Sequence, residues 1–95
     1  MSGKKLIILT KLAQRNLKKI PWHIAARFKT WADLVENEGL REVRKIKSFH
    51  DEPLKGERKG QRSIRLSKSY RAFYIEKADG GIEFIEVLEV NKHDY

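Results

Sequence analysis

Two arginines, Arg65 and Arg71, flank a short Ser67-Lys68-Ser69 segment, and each sits in a run of alternating residues. If the runs pair as a hairpin, both guanidiniums reach one uncovered face, because alternate strand residues project to opposite sides. Two crowded guanidiniums repel unless an anion lies between them, and a phosphate fits their fork of donors. Pairing with Glu76, Glu83 or Glu89 as a surface ladder is the alternative for the same pattern. Upstream, Glu52 in Glu52-Pro53-Leu54-Lys55-Gly56 offers a carboxylate that either balances loop charge or, beside a cation, acts as a base. The tail Asn91-Lys92-His93-Asp94-Tyr95 adds an imidazole that exchanges protons near neutrality and a ring that can stack on a base. An ordinary chain end with an incidental histidine is the plainer account of that tail.

Charge points the same way. The 95 residues carry 21 Lys and Arg against 13 Asp and Glu, a net charge of +8. From Arg41 to Arg71 there are eleven basic residues and four acidic ones, so that stretch alone carries +7. Such an excess in a small chain suits a polyanion, nucleic acid being the common one, although it also serves as a solvated surface. There is no cysteine, which excludes disulfides, thiolate zinc sites and cysteine nucleophiles. His23, His50 and His93 are scattered, with no metal-ligand spacing. The longest apolar run, Leu6-Ile7-Ile8-Leu9, is far too short to span a bilayer or form a signal-peptide core. A soluble, cytoplasmic protein is expected, with no membrane partner.

The elements that must position these groups follow from periodicity. Lys4 to Leu9 reads as a strand. Thr10 suits an N-cap for a helix over Lys11 to Lys19, with Leu12 and Leu17 inward. Pro21 opens a second helix, in which Ile24, Phe28, Trp31 and Val35 form one stripe before Gly39 stops it. Leu40, Val43 and Ile46 continue for about two turns. Ser48 to Lys59 has no period and contains Pro53 and Gly56, so it reads as a long loop, the kind that tends to be functional. Strands follow over Arg62 to Leu66, Tyr70 to Tyr74 and Ile82 to Val90, with Asp79-Gly80-Gly81 as the second turn. In the last strand Ile82, Phe84, Glu86, Leu88 and Val90 share the expected inner face, with Glu86 out of place there. The expected fold is α+β: a small antiparallel sheet, an N-terminal strand, a helical hairpin on one face and a C-terminal three-stranded meander. No linker divides residues 1–95, so a single domain is expected.

Taken together, Glu52-Pro53-Leu54-Lys55-Gly56, Lys59-Gly60-Gln61-Arg62-Ser63-Ile64-Arg65, Tyr70-Arg71-Ala72-Phe73-Tyr74 and His93-Asp94-Tyr95 resemble the RelE/ParE superfamily of toxins from type II toxin–antitoxin systems. The likeness is to its RelE, HigB, YoeB and YafQ side, close from Ser48 to Tyr95 and only in pattern before that. It implies a metal-independent, cofactor-free endoribonuclease that cuts mRNA in the A site of the 70S ribosome, leaving 2′,3′-cyclic phosphate and 5′-hydroxyl ends. It also implies a cognate antitoxin covering the basic face. By the same resemblance Arg71 addresses the scissile phosphate, Arg65 assists, and Glu52 matches a general base. His93 matches a general acid and Tyr95 an aromatic that positions the nucleotide, though His93 also remains a candidate for the base. Lys55 would bind backbone phosphate, and the basic residues Arg58, Lys59, Arg62, Lys68 and Lys92 are candidate RNA contacts. HigB-like relatives carry histidine where Glu52 stands; His50, two residues earlier, could substitute for that histidine, though the register argues against it. Two other functions fit the fold: poisoning of DNA gyrase, as in the ParE branch, and RNA binding without catalysis.

Overall fold

The computed structural model describes residues 6–92. Its elements in chain order are β1 (Leu6–Leu9), α1 (Lys11–Lys19), α2 (Trp22–Glu38), α3 (Leu40–Val43), β2 (Glu52–Pro53), β3 (Arg62–Arg65), β4 (Tyr70–Asp79) and β5 (Ile82–Lys92). Single 3₁₀ turns lie at Lys47–Phe49 and Gly56–Arg58. The strands form one five-stranded sheet in the order β1-β5-β4-β3-β2. The α+β fold read from the sequence is the one observed.

The expected helical stripe is the centre of the core. Ile24, Phe28, Trp31 and Val35 of α2 are all buried, and Trp31 meets the Tyr74 ring of β4 at a centroid distance of 5.3 Å. Each such side chain contributes roughly 1.5–3 kcal/mol when fully withdrawn from water, so the stripe alone explains why α2 lies against the sheet. Gly39, at φ 87°, ends α2, and its amide N–H donates to the Val35 carbonyl at 2.9 Å. In α1 the inward residue is Ala13, whereas Leu12 is exposed and Leu17 only half-buried. Close packing of α1 on β5 explains this: Asn16 Oδ1 accepts the Val90 amide N–H at 3.0 Å, which fixes the phase of the helix. The period expected through Ile46 breaks after one turn of α3, and a 3₁₀ turn follows.

The first strand joins the sheet at its edge, parallel to β5, with Leu6 beside Phe84 and Leu9 beside Val87. Its expected start at Lys4 lies outside the described residues. Asp79 and Ile82 close the β4–β5 hairpin, with Gly80 and Gly81 both at positive φ, as a tight hairpin turn requires.

The inner face of β5 differs from simple alternation. Phe73 pairs with Glu89 but Tyr74 pairs with Val87, so Leu88 is an extra residue and the strand bulges. Ile85 and Val87 are buried before the bulge and Val90 after it, and Glu86 stands on the other face, where Lys77 Nζ reaches it at 2.8 Å. Thr10 anchors this irregularity. Its hydroxyl accepts the Ala13 amide N–H at 3.0 Å, as an N-cap does, and donates to the carbonyl of Leu88 at 2.7 Å. Thr10→Ala removes both bonds and is expected to cost about 1–2 kcal/mol. A thermal melt should show the midpoint falling by roughly 4–8 °C per kcal/mol lost.

Candidate functional site

The face of the sheet turned away from the core carries the chemistry. Across it runs the row Glu52, Ser63, Phe73 and Glu89, one residue from each of β2 to β5. Two residues along comes a second row, Arg65, Arg71 and Asn91. The bulge at Leu88 is what brings Glu89 and Asn91 to this face, since without it their parity would follow Ile85 and Val87 inward. Arg65 and Arg71 are direct cross-strand partners, as the hairpin reading required. The turn between them is tied by Ser67 Oγ, which accepts amide N–H groups from Ser69 and Tyr70 at 3.1 and 3.2 Å.

The two guanidiniums are in different settings. Arg65 is exposed, while the Arg71 side chain is only 8% exposed. A buried charge must be paired and hydrogen-bonded to be tolerated. Arg71 Nη1 donates to Ser63 Oγ at 3.2 Å and to Glu52 Oε1 at 3.4 Å. The guanidinium is thereby held before any ligand arrives, so it needs no reorganisation to meet an anion. Of the glutamates weighed as ladder partners, Glu76 is engaged by Arg44 and Glu89 by Arg58.

Glu52 reaches Arg71 because the presumed loop contains a strand. Two residues, Glu52 and Pro53, pair with Ser63 and Arg62. The preceding Asp51 turns the other way and is buried, with 1% of its side chain exposed. Asp51 Oδ1 accepts from Arg62 Nε at 2.6 Å, and Oδ2 accepts from the Tyr74 hydroxyl at 2.5 Å. Burial, reinforced by the Asp51 carboxylate, pushes the Tyr74 phenol well above the ordinary tyrosine range. Sequence reasoning missed both Asp51 and Tyr74 as positioning groups. Their only signal was a carboxylate next to a candidate catalytic one, and the partners lie 11 and 23 residues away.

The remaining candidates divide. Arg58 crosses the open face from its 3₁₀ turn: it pairs with Glu89, donates to Gln61 Oε1 at 2.8 Å, and lies 4.2 Å over the Phe73 ring. Lys55, Lys59 and Lys68 are exposed in the turns bordering that face. Arg62 is directed to the core side and committed to Asp51, which leaves it a structural cation. Lys92 shares the side of Val90, opposite to Arg71, because it pairs with Tyr70. His93 and Tyr95 lie outside the described residues. His50, set aside by register, is brought to the site: its Nε2 is 3.5 Å from Glu52 Oε2. Among the described residues no three His, Cys, Asp or Glu side chains gather as a metal site, and no helix is long and apolar enough to cross a membrane.

The model of the family described as the ParE toxin of type II toxin–antitoxin systems, parDE, matches residues 7–94. The chain belongs to that family of toxins. Solved structures agree with the fold. YafQ from E. coli strain BL21(DE3) superposes with a TM-score of 0.73 at 14% identity, covering 94% of this chain and 93% of its own. The toxin–antitoxin complex RelBE2 from Mycobacterium tuberculosis gives a TM-score of 0.67 at 26% identity, covering 95% and 99%. The archaeal RelE–RelB complex from Pyrococcus horikoshii OT3 gives 0.68 at 22% identity, covering 94% of each chain. No curated protein sequence matches the toxin. Its membership in the RelE/ParE superfamily of type II toxin–antitoxin toxins, expected from the motifs, is thus established.

Proposed function

We propose that the toxin is a metal-independent endoribonuclease that cuts mRNA in the ribosomal A site, leaving 2′,3′-cyclic phosphate and 5′-hydroxyl ends. The observation that supports it most directly is Arg71, withdrawn into the open face and held by Ser63 and Glu52 beside Arg65. Attack of a ribose 2′-hydroxyl on the adjacent phosphorus builds negative charge on the phosphoryl oxygens, and a fixed guanidinium stabilises that charge. Glu52 supplies a carboxylate within reach of the same phosphate. His93 and Tyr95 enter through the resemblance alone, as acid and as nucleotide-positioning ring. Lys55, Lys59 and Lys68 rim this face and would hold the phosphate backbone through salt-sensitive contacts. The antitoxin would inhibit by covering the same face.

Primer extension on mRNA in a translating extract tests this. The toxin is expected to produce discrete cuts whose upstream fragments resist 3′-end ligation until the cyclic phosphate is opened and the phosphate removed. Intact mRNA in the presence of folded toxin overturns the proposal. A second reading, poisoning of DNA gyrase, is favoured by the family model matched, and predicts gyrase-dependent DNA breaks with mRNA left whole.

A further inference from the structure

Among the described residues His50 is the one non-glycine with positive φ, at φ 47° and ψ 52°. For a residue with a Cβ, left-handed geometry costs roughly 1–2 kcal/mol, so the fold holds it there against a local preference. The result is a chain of three groups. Glu52 Oε1 meets Arg71 Nη1 at 3.4 Å, and Glu52 Oε2 meets His50 Nε2 at 3.5 Å. Each carboxylate oxygen therefore already has a donor group beside it, which is the position of an orienting carboxylate rather than of a free base. The imidazole is 52% exposed on its side-chain surface, so it is open to a ligand on the site face.

We propose that His50 is the general base of the cleavage reaction and that Glu52 orients it; this inference rests on the ribonuclease reading above. A proton on Nε2, the nitrogen 3.5 Å from the Glu52 carboxylate, leaves the lone pair on Nδ1, because the partner of one ring nitrogen fixes the tautomer of the other. At 3.5 Å the His50–Glu52 contact is longer than an ordinary hydrogen bond, as catalytic contacts often are in a ligand-free site. In the reaction the 2′-hydroxyl proton passes to Nδ1 as O2′ bonds to phosphorus. The bond from phosphorus to the 5′ oxygen breaks, and that oxygen takes a proton from the general acid, assigned above to His93. The imidazolium left on His50 faces the Glu52 carboxylate, which stabilises it, as a carboxylate does for the histidine of a hydrolase triad. Other charged groups meeting this corner are Asp51 and Arg62, paired with each other on the inner side, and Lys47, whose carbonyl accepts the His50 amide N–H. Arg27 of α2 lies over the neighbouring Phe49 ring.

The test is single-turnover cleavage of mRNA on programmed ribosomes between about pH 5.5 and about pH 9, spanning the range where imidazoles titrate. Asparagine tolerates left-handed backbone, so His50→Asn should keep the turn and the melting temperature. It is expected to cut about 10²-fold more slowly and to lose the rise of rate with pH on the acid side. Free imidazole should restore part of the rate to His50→Gly. Glu52→Gln should slow cleavage yet keep the acid-side rise. If His50→Asn retains the wild-type rate and pH profile, or Glu52→Gln alone abolishes the acid-side rise, His50 is not the base. Wild-type toxin that leaves ribosome-bound mRNA whole instead overturns the ribonuclease reading, before any variant is compared.

Discussion

Arg71→Ala is expected to lower mRNA cleavage by about 10³-fold or more, the scale on which single guanidiniums and oxyanion donors act in phosphoryl transfer. The size of the effect follows from its setting. Arg71 is withdrawn from water, so its attraction for phosphoryl charge is screened less than that of a surface cation. It is also pre-positioned by Ser63 and Glu52, so little of its interaction energy is spent on ordering. Arg71→Lys keeps the charge but loses the planar fork, and should fall between wild type and alanine. Arg65→Ala removes an exposed partner and should cost less. The fold should persist in Arg71→Ala, because Glu52 is 42% exposed and can be solvated once its partner has gone. Circular dichroism checks this, and relief of growth arrest on expression provides the cellular readout. Cleavage at the wild-type rate by a folded Arg71→Ala protein would remove the central support for the ribonuclease assignment.

What could be read beforehand was whatever repeats along the chain. The stripe of Ile24, Phe28, Trp31 and Val35 declares itself by spacing, and the Asp79-Gly80-Gly81 turn by its positive-φ residues. The pairing of Arg65 with Arg71 followed from one short turn, because hairpin register is local. The missed features share a different cause. β2 is two residues long and contains proline, so it has no period to detect. The bulge at Leu88 is set by a contact with Thr10, 78 positions away, and one extra residue inverts the face of everything after it. That is why simple alternation along β5 puts Glu86 on the core face. Arg62 was expected on the RNA side because a basic residue in a strand looks the same whether it faces phosphate or a buried carboxylate. Its partner Asp51 became visible only once β2 was paired with β3. Register argues against His50, yet its left-handed backbone lets a residue two positions before Glu52 reach that carboxylate.

Asp51→Ala should be the most destabilising of these changes, by about 3–5 kcal/mol, because it breaks a buried ion pair from one side. Against a total stability of about 5–15 kcal/mol, that is a large fraction, and at the lower end of the range it brings the protein near its unfolding midpoint. The loss has two parts. The Tyr74 hydroxyl is left without its acceptor in the core, and Arg62 loses the carboxylate that offsets its desolvation. Tyr74→Phe removes only the first part and should cost about 1–2 kcal/mol, so a double-mutant cycle separates them. The phenol also gives an optical reading. With its ionisation shifted upward in the folded state, neutral Tyr74 contributes stability that is fully present below the ordinary tyrosine range near pH 10 and lost as pH rises through the higher folded value. Asp51→Asn removes the charge that adds to this shift, so absorbance titration should show tyrosine ionising at lower pH than in wild type. Function should suffer beyond stability, for Asp51 immediately precedes the two-residue strand that carries Glu52, and the two side chains turn to opposite faces. With the Asp51 anchor to Tyr74 and Arg62 weakened, the segment leading into that strand fixes Glu52 less firmly against Arg71. Asp51→Asn, assayed well below its melting point, should therefore cleave more slowly than its folded fraction accounts for. A variant that loses stability but cleaves in proportion to its folded fraction would show that the buried carboxylate serves the fold alone.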